Sequence, residues 1–253
     1  MSKIVDIYNF IDEIAPYNSQ MDFDNSGLLV GDLNEEVKKS VVSLDVTKDS
    51  INECINLGAT LIISHHPVIF HPLKSLKTYD IPYVLAKNQI SSLCAHTNLD
   101  LSPDGVNYCL FSALKLKDKK SLSKYNGYDL GYIGTLEKSM SSLDFANFIK
   151  KSLNCNCVRF TDASKFIRKV AVSSGAGGSS IFDAFSSGCD ALVTGEIKHN
   201  EILFANDHEV SIFDVGHFNS ENVVIPYLTD MLKQKFSDIE FYEFNCCDKV
   251  KCI

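Results

Sequence analysis

Six side chains able to hold a cation or move a proton fall into three groups along this 253-residue chain: His65 with His66, His96 with Asp100, and His217 with Glu221. His65 and His66 directly follow the apolar run ATLIIS, residues 59–64, and precede Pro67. The other two groups share one pattern, a His, an Asn two residues on and an acid two beyond, in AHTNLD (95–100) and GHFNSE (216–221). Imidazole nitrogens and carboxylate oxygens without thiolates are the donors of borderline divalent cations such as Zn, Mn, Fe, Co or Ni. His65, His66, Asp100, His217 and Glu221, with His96 as a sixth candidate, exceed the three or four donors that one zinc ion takes from protein. The expectation is therefore two divalent cations, which at about 3.5 to 4 Å apart can activate a water and stabilise charge developing on a substrate.

The plainer reading of each group is a histidine that caps a helix or packs at a strand end. Adjacency before Pro67, and the recurrence of His-x-Asn-x-acid at two places, argue against it. If a helix opens at Phe218, the spacing of four puts His217 and Glu221 on one face, roughly 5 to 6 Å apart at their Cβ atoms.

The elements that must position these groups follow from periodicity. Ile4, Ile7, Ile11 and Ile14 recur at helical spacing, with Ser2 able to cap. KKSVVSLDV reads as a strand, then a helix through Ile51 and Ile55 stops at Gly58, and ATLIIS is a strand of the kind covered on both faces. A helix around Tyr83 to Lys87, the strand SSLCA and a helix from about Val106 to Leu116 follow. Strands alternating with helices predict an α/β fold with mixed sheets flanked by helices. Each histidine group then sits at a strand exit, where ligands of open α/β sheets collect.

The second half repeats the first. DIYNFI (6–11) matches DFANFI (144–149), residues 41–66 align without a gap with residues 171–196 so that Gly58 falls on Gly188, and AHTNLD matches GHFNSE. This predicts an internal duplication: a first α/β domain over 1–118, a connector over 119–138, and a second repeat over 139–253 whose C-terminal part can pack onto the first domain. KLKDKKSLSK (115–124), which runs from the end of the first domain into the connector, reads as a solvated linker. Gly195 and Glu196 stand where the first half has His65 and His66, so the site is expected to be asymmetric. His199 could line it, whereas His71 and His208 are expected at the surface. The glycine-rich SGAGGSS (174–180) lacks the Lys-Ser/Thr of a P-loop, so it reads as a tight turn with phosphate cradling left open.

Composition excludes several classes. The formal net charge of −8 and only two arginines, Arg159 and Arg168, argue against nucleic acid as a partner. No apolar run reaches the roughly 20 residues that span a bilayer, so no membrane association is expected. Nine cysteines, odd in number and without a CxxC pair, read as reduced thiols of a cytoplasmic protein.

MDFDNSGLLVGD (21–32), SLDVT (43–47), SHHPVIF (64–70), AHTNLD, GEIKHNE (195–201) and GHFNSE, in this order, resemble the Nif-three-like dinuclear metal-binding family, also called GTP cyclohydrolase I type two. The resemblance spans nearly the whole chain, in the short form without an inserted domain, with Phe23 where members often carry Trp. It implies two similar α/β domains, a two-metal site in the cleft between them, and a toroidal homohexamer. Its ligands fall on His65, His66, Asp100, His217 and Glu221, and its further histidine on His96, read as an outer ligand or proton shuttle. The function so implied is metal-dependent hydrolysis of a nucleotide or another phosphorylated small molecule, with a non-catalytic metal-binding or adaptor protein as the alternative.

Overall fold

The computed structural model describes residues 1–163, 166–245 and 247–251. Its strands in chain order are β1 (Gly27–Val30), β2 (Lys39–Ser43), β3 (Leu61–Ser64), β4 (Ser91–Cys94), β5 (Lys117–Tyr125) and β6 (Tyr128–Met140). Then come β7 (Arg159–Phe160), β8 (Ile167–Ser173), β9 (Ala191–Thr194), β10 (Ser211–Asp214) and β11 (Glu240–Glu243). They form two mixed sheets flanked by helices, as the alternation of strand and helix patterns predicts. The chain divides into one unit of Met1–Ser102 with Ile225–Cys247 and another of Pro103–Val224 with Asp248–Ile253.

The first unit holds the sheet β1-β4-β3-β2-β11. β11, β2, β3 and β4 run parallel in that order, and β1 closes the edge antiparallel to β4. Val41 and Ile62 on this sheet pack with Ile51 and Cys54 of the helix Lys48–Leu57 and with Leu85 of the helix Ile81–Lys87. The Thr47 side chain caps the first of these helices by accepting from the amide of Ser50, and Gly58, with φ of 65°, ends it. The amino-terminal helix Ile4–Ile14 buries Ile4, Ile7 and Ile11. Its N-cap is Lys3, not Ser2, because the Ser2 hydroxyl and amide both donate to the carboxylate of Asp238.

The second unit holds the sheet β5-β6-β8-β9-β10-β7, in which β8, β9 and β10 are parallel and the remaining pairings antiparallel. Alternate residues of its central strands face opposite ways. Val170, Val193 and Phe213 join Leu110, Phe145 and Ile149 in one core cluster, whereas Ala171, Leu192 and Ile212 join Ile181, Ala184 and Ala205 in another. Apolar side chains on both faces give these strands their continuous hydrophobic runs.

Two regularities link the units. The register of β2 on β3, Ser40 opposite Leu61 through Ser43 opposite Ser64, recurs 130 positions later as Val170 opposite Ala191 through Ser173 opposite Thr194 in β8 on β9. Gly58 and Gly188, also 130 apart, have φ of 65° and 66°.

The stretch 115–124, expected to be a solvated linker, is largely strand β5, and the expected connector 119–138 forms the hairpin of β5 and β6. The lysines misled because β5 is an edge strand with only Leu122 buried, and edge strands carry lysine to discourage pairing with other chains. The turn Asn126-Gly127 has positive φ at both residues, the hairpin signature that identifies these strands. No helix among the described residues is long and apolar enough to cross a membrane.

Candidate metal centre

Parallel pairing of β2, β3 and β4 brings their carboxyl ends to one edge of the first sheet. Asp45 lies two residues past β2, His65 and His66 directly follow β3, and His96 lies two residues past β4. The sheet ladder continues through the histidines: the amides of His65 and His66 donate to the carbonyls of Ser43 and Leu44 at 3.2 and 2.9 Å. A four-residue helix, Thr97–Asp100, then carries Asp100. It is fixed by buried Asn98, whose side-chain amide donates to the Ala15 carbonyl at 2.7 Å.

All three imidazoles are oriented through Nδ1. His65 Nδ1 lies 2.9 Å from the carbonyl oxygen of Ala95, which can only accept, so the proton is on Nδ1 and the lone pair on Nε2. His66 Nδ1 pairs with Asp45 Oδ1 and His96 Nδ1 with Asp24 Oδ1, each at 2.7 Å. An acceptor behind the ring is what metal-ligating histidines characteristically have, because it sets the tautomer and raises ligand basicity. Burial alone would push the Asp24 carboxyl up, but hydrogen bonds from His96 and from the hydroxyl and amide of Thr97 hold it well below the usual carboxylate range. Asp24 is therefore a fixed anion beneath His96.

These side chains fit a cation. His65, His66 and His96 offer ring nitrogens that lie within 4.8 Å of one another. His65 Nε2 and Asp100 Oδ1 are 3.7 Å apart. Donors about 2.0 to 2.2 Å from a tetrahedral ion are separated from each other by roughly 3.4 Å, so this pair is spaced to share one.

In the second unit the exits of β9 and β10 build a second donor group. The helix His217–Glu221 begins three residues past β10, and its spacing of four puts His217 Nε2 3.0 Å from Glu221 Oε2. On its other side, His217 Nδ1 lies 2.8 Å from Glu196 Oε1, past the end of β9. Glu221 is buried and His217 about one-third exposed. The glycine-rich turn lies against this group: the Gly175 amide donates to Ser220 Oγ, which in turn donates to the His217 carbonyl. Gly195 is equally constrained, since a Cβ there would meet Ser220 Oγ at 2.5 Å and His217 Cα at 2.8 Å.

The structure thus brings His65, His66, His96 and Asp100 together in the first unit, and His217 with Glu221 in the second. His71, His199 and His208 are exposed. Three partners escaped residue-by-residue reading: Asp24, Asp45 and Glu196. The available signal was that each lies in a stretch on which the family resemblance rests, MDFDNSGLLVGD, SLDVT and GEIKHNE.

The profile of Duf34/NIF3 (NGG1p interacting factor 3) matches residues 2–249. The chain belongs to this family. A Clostridium perfringens relative named GTP cyclohydrolase 1 type 2 homolog is 34% identical over 250 residues, covering 94% of this chain and 95% of the relative. A Campylobacter jejuni relative of the same name is 34% identical, covering 91% and 92%. Among solved structures, the hypothetical protein SA1388 of Staphylococcus aureus superposes with a TM-score of 0.93 at 29% identity, covering 99% of each chain. Reduced HcgD from Methanocaldococcus jannaschii gives 0.83 at 28% identity, covering 96% of this chain and 97% of that one.

Proposed function

We propose that this Duf34/NIF3 protein binds two divalent cations and hydrolyses a nucleotide or another phosphorylated small molecule. The observation that carries the reading is the set of three imidazoles in the first unit, each committed at Nδ1 to an oxygen acceptor and so able to ligate through Nε2. His65, His66, Asp100, His217 and Glu221 are the residues that would hold the ions, as the family resemblance implies. When bound, such ions supply Lewis-acid polarisation and a nucleophile at neutral pH. His96, part-buried with Asp24 fixed behind it, is the group placed to take or give a proton at Nε2. The recurrence of strand register at 130 positions supports an internal duplication as the origin of the two halves.

The second reading, a non-catalytic metal-binding or adaptor protein, is favoured by the depth of two donors: His65 has no exposed surface and Glu221 is 3% exposed. A closed coordination shell suits a structural ion better than a catalytic one. The resemblance also supports a homohexameric ring, which light scattering on the eluted protein measures directly. The buried thiols of Cys54, Cys94 and Cys109 suit a reducing compartment, so we place the protein in the cytoplasm.

The test combines elemental analysis with assays on nucleotides and phosphoesters, for the parent protein and the double variant His65→Ala, Glu221→Ala. The expected outcome is two ions per chain, turnover on at least one substrate, and a folded variant that has lost both metal and turnover, because a chain of this size has its own core. Metal without turnover on any substrate selects the adaptor reading. Absence of stoichiometric metal from reconstituted protein overturns both.

A further inference from the structure

Two aromatic side chains in the first unit stand in water beside the imidazoles. Phe23 is 60% exposed and Phe70 38% exposed, and their ring centroids lie 6.1 Å apart with planes inclined at 42°. Phe70 also lies 6.2 Å from the ring of His96 and 4.8 Å from that of His71, edge to face in both cases. So much exposed aromatic surface contributes little to folding, since the hydrophobic gain scales with the area removed from water.

Both rings are nonetheless held in place by polar contacts of their chain neighbours. Asp24, next to Phe23, is hydrogen-bonded to His96 and to Thr97. Asn25 reaches across to the carbonyl of Ile69, next to Phe70, at 2.6 Å, tying the two aromatic segments together. Residues bonded to the imidazole cluster and to one another therefore position two aromatic rings, of which Phe70 meets His96 edge to face. Asp24 and Asp45 carry the hydrogen bonds to His96 and His66, and the two exposed rings beside them offer a ligand π area. Aromatic faces select flat rings, which stack on one face and meet the second ring at their rim.

We infer that Phe23 and Phe70 form a stacking platform for a planar heteroaromatic ring of the substrate, setting that ring beside His96. This rests on the reading of His65, His66 and His96 as a ligand-binding centre and narrows its substrates to those carrying a nucleobase-like ring.

The chain contains no tryptophan, so Phe23→Trp places a single indole reporter on the platform. Its fluorescence is titrated with GMP and, separately, with ribose 5-phosphate, on metal-loaded and on chelator-treated protein. GMP is expected to quench saturably and ribose 5-phosphate not at all. Adding Phe70→Ala is expected to weaken GMP binding by about tenfold, within the range of base–aromatic stacking, and Phe70→Leu, which keeps apolar bulk, by less. Equal quenching by both ligands, absence of quenching by GMP in both protein forms, or unchanged GMP affinity in both Phe70 variants overturns the platform. Because quenching is read without turnover, a platform that binds GMP beside a centre that hydrolyses nothing leaves this inference standing while the hydrolase reading falls.

Discussion

A Cβ built on Gly175 would lie 2.2 Å from Oε1 of Glu221, inside any real contact distance, so the carboxylate occupies the space that any other residue at 175 would fill. The backbone there has φ of 58°, which also favours glycine. Part of the glycine-rich turn is thus explained by the packing of a candidate ligand, without a phosphate. Gly175→Ala is expected to displace Glu221 and weaken metal binding at least about tenfold, a loss typical of disturbed ligand support, while the protein stays folded. Competition against a metallochromic chelator measures this; unchanged affinity would show that Glu221 is not a ligand.

Asp45 orients His66 through the 2.7 Å contact at Nδ1, and its side chain is 43% exposed. Asp45→Ala is expected to reduce metal affinity about 10- to 100-fold. Its effect on unfolding free energy should stay within about 1 kcal/mol, as befits an exposed position. Loss of fold together with metal would make Asp45 a structural residue instead.

Burial pushes the Cys54 and Cys109 thiols up to about 12, each with a nearby carboxylate adding to the shift, Glu53 and Asp104 respectively. Burial also raises Cys189, to about 11, with Lys169 opposing and Asp190 reinforcing the rise. A raised thiol pKa leaves the unreactive protonated form dominant until the pH nears that value. At pH 8 the native protein should therefore modify at exposed Cys247 at least about a hundredfold faster than at these three, with their rates climbing as pH rises. Peptide mapping after timed labelling gives the answer, and prompt modification of Cys54 in folded protein would contradict it.

Gly127 closes the β5–β6 hairpin with φ of 90°, and a Cβ there would meet nothing within 4 Å. Gly127→Val therefore tests backbone strain alone. We expect a loss of about 1 to 2 kcal/mol in denaturant unfolding, with spectroscopic secondary structure retained. A neutral substitution would mean that the turn relaxes into another conformation.

Much of this protein is legible in its residue order, because periodicity and strand-end position are local properties. The spacing of Ile4, Ile7 and Ile11, the run Leu61–Ser64, and the histidines just past the strands need no knowledge of what lies across the fold. Strand β5 was hidden because an edge strand has solvent on one side, so its lysines read as a linker. Asp24 behind His96, Asp45 behind His66 and Glu196 behind His217 bridge 72, 21 and 21 residues of chain, and they exist only where sheet pairing has brought those positions together. Residue types and intervals along the chain sufficed for the candidate ligands. Which nitrogen of each imidazole is left to bind, and why glycine must stand at 175, were decided by tertiary packing, because hydrogen bonding and steric exclusion act between atoms close in space whatever their separation in sequence.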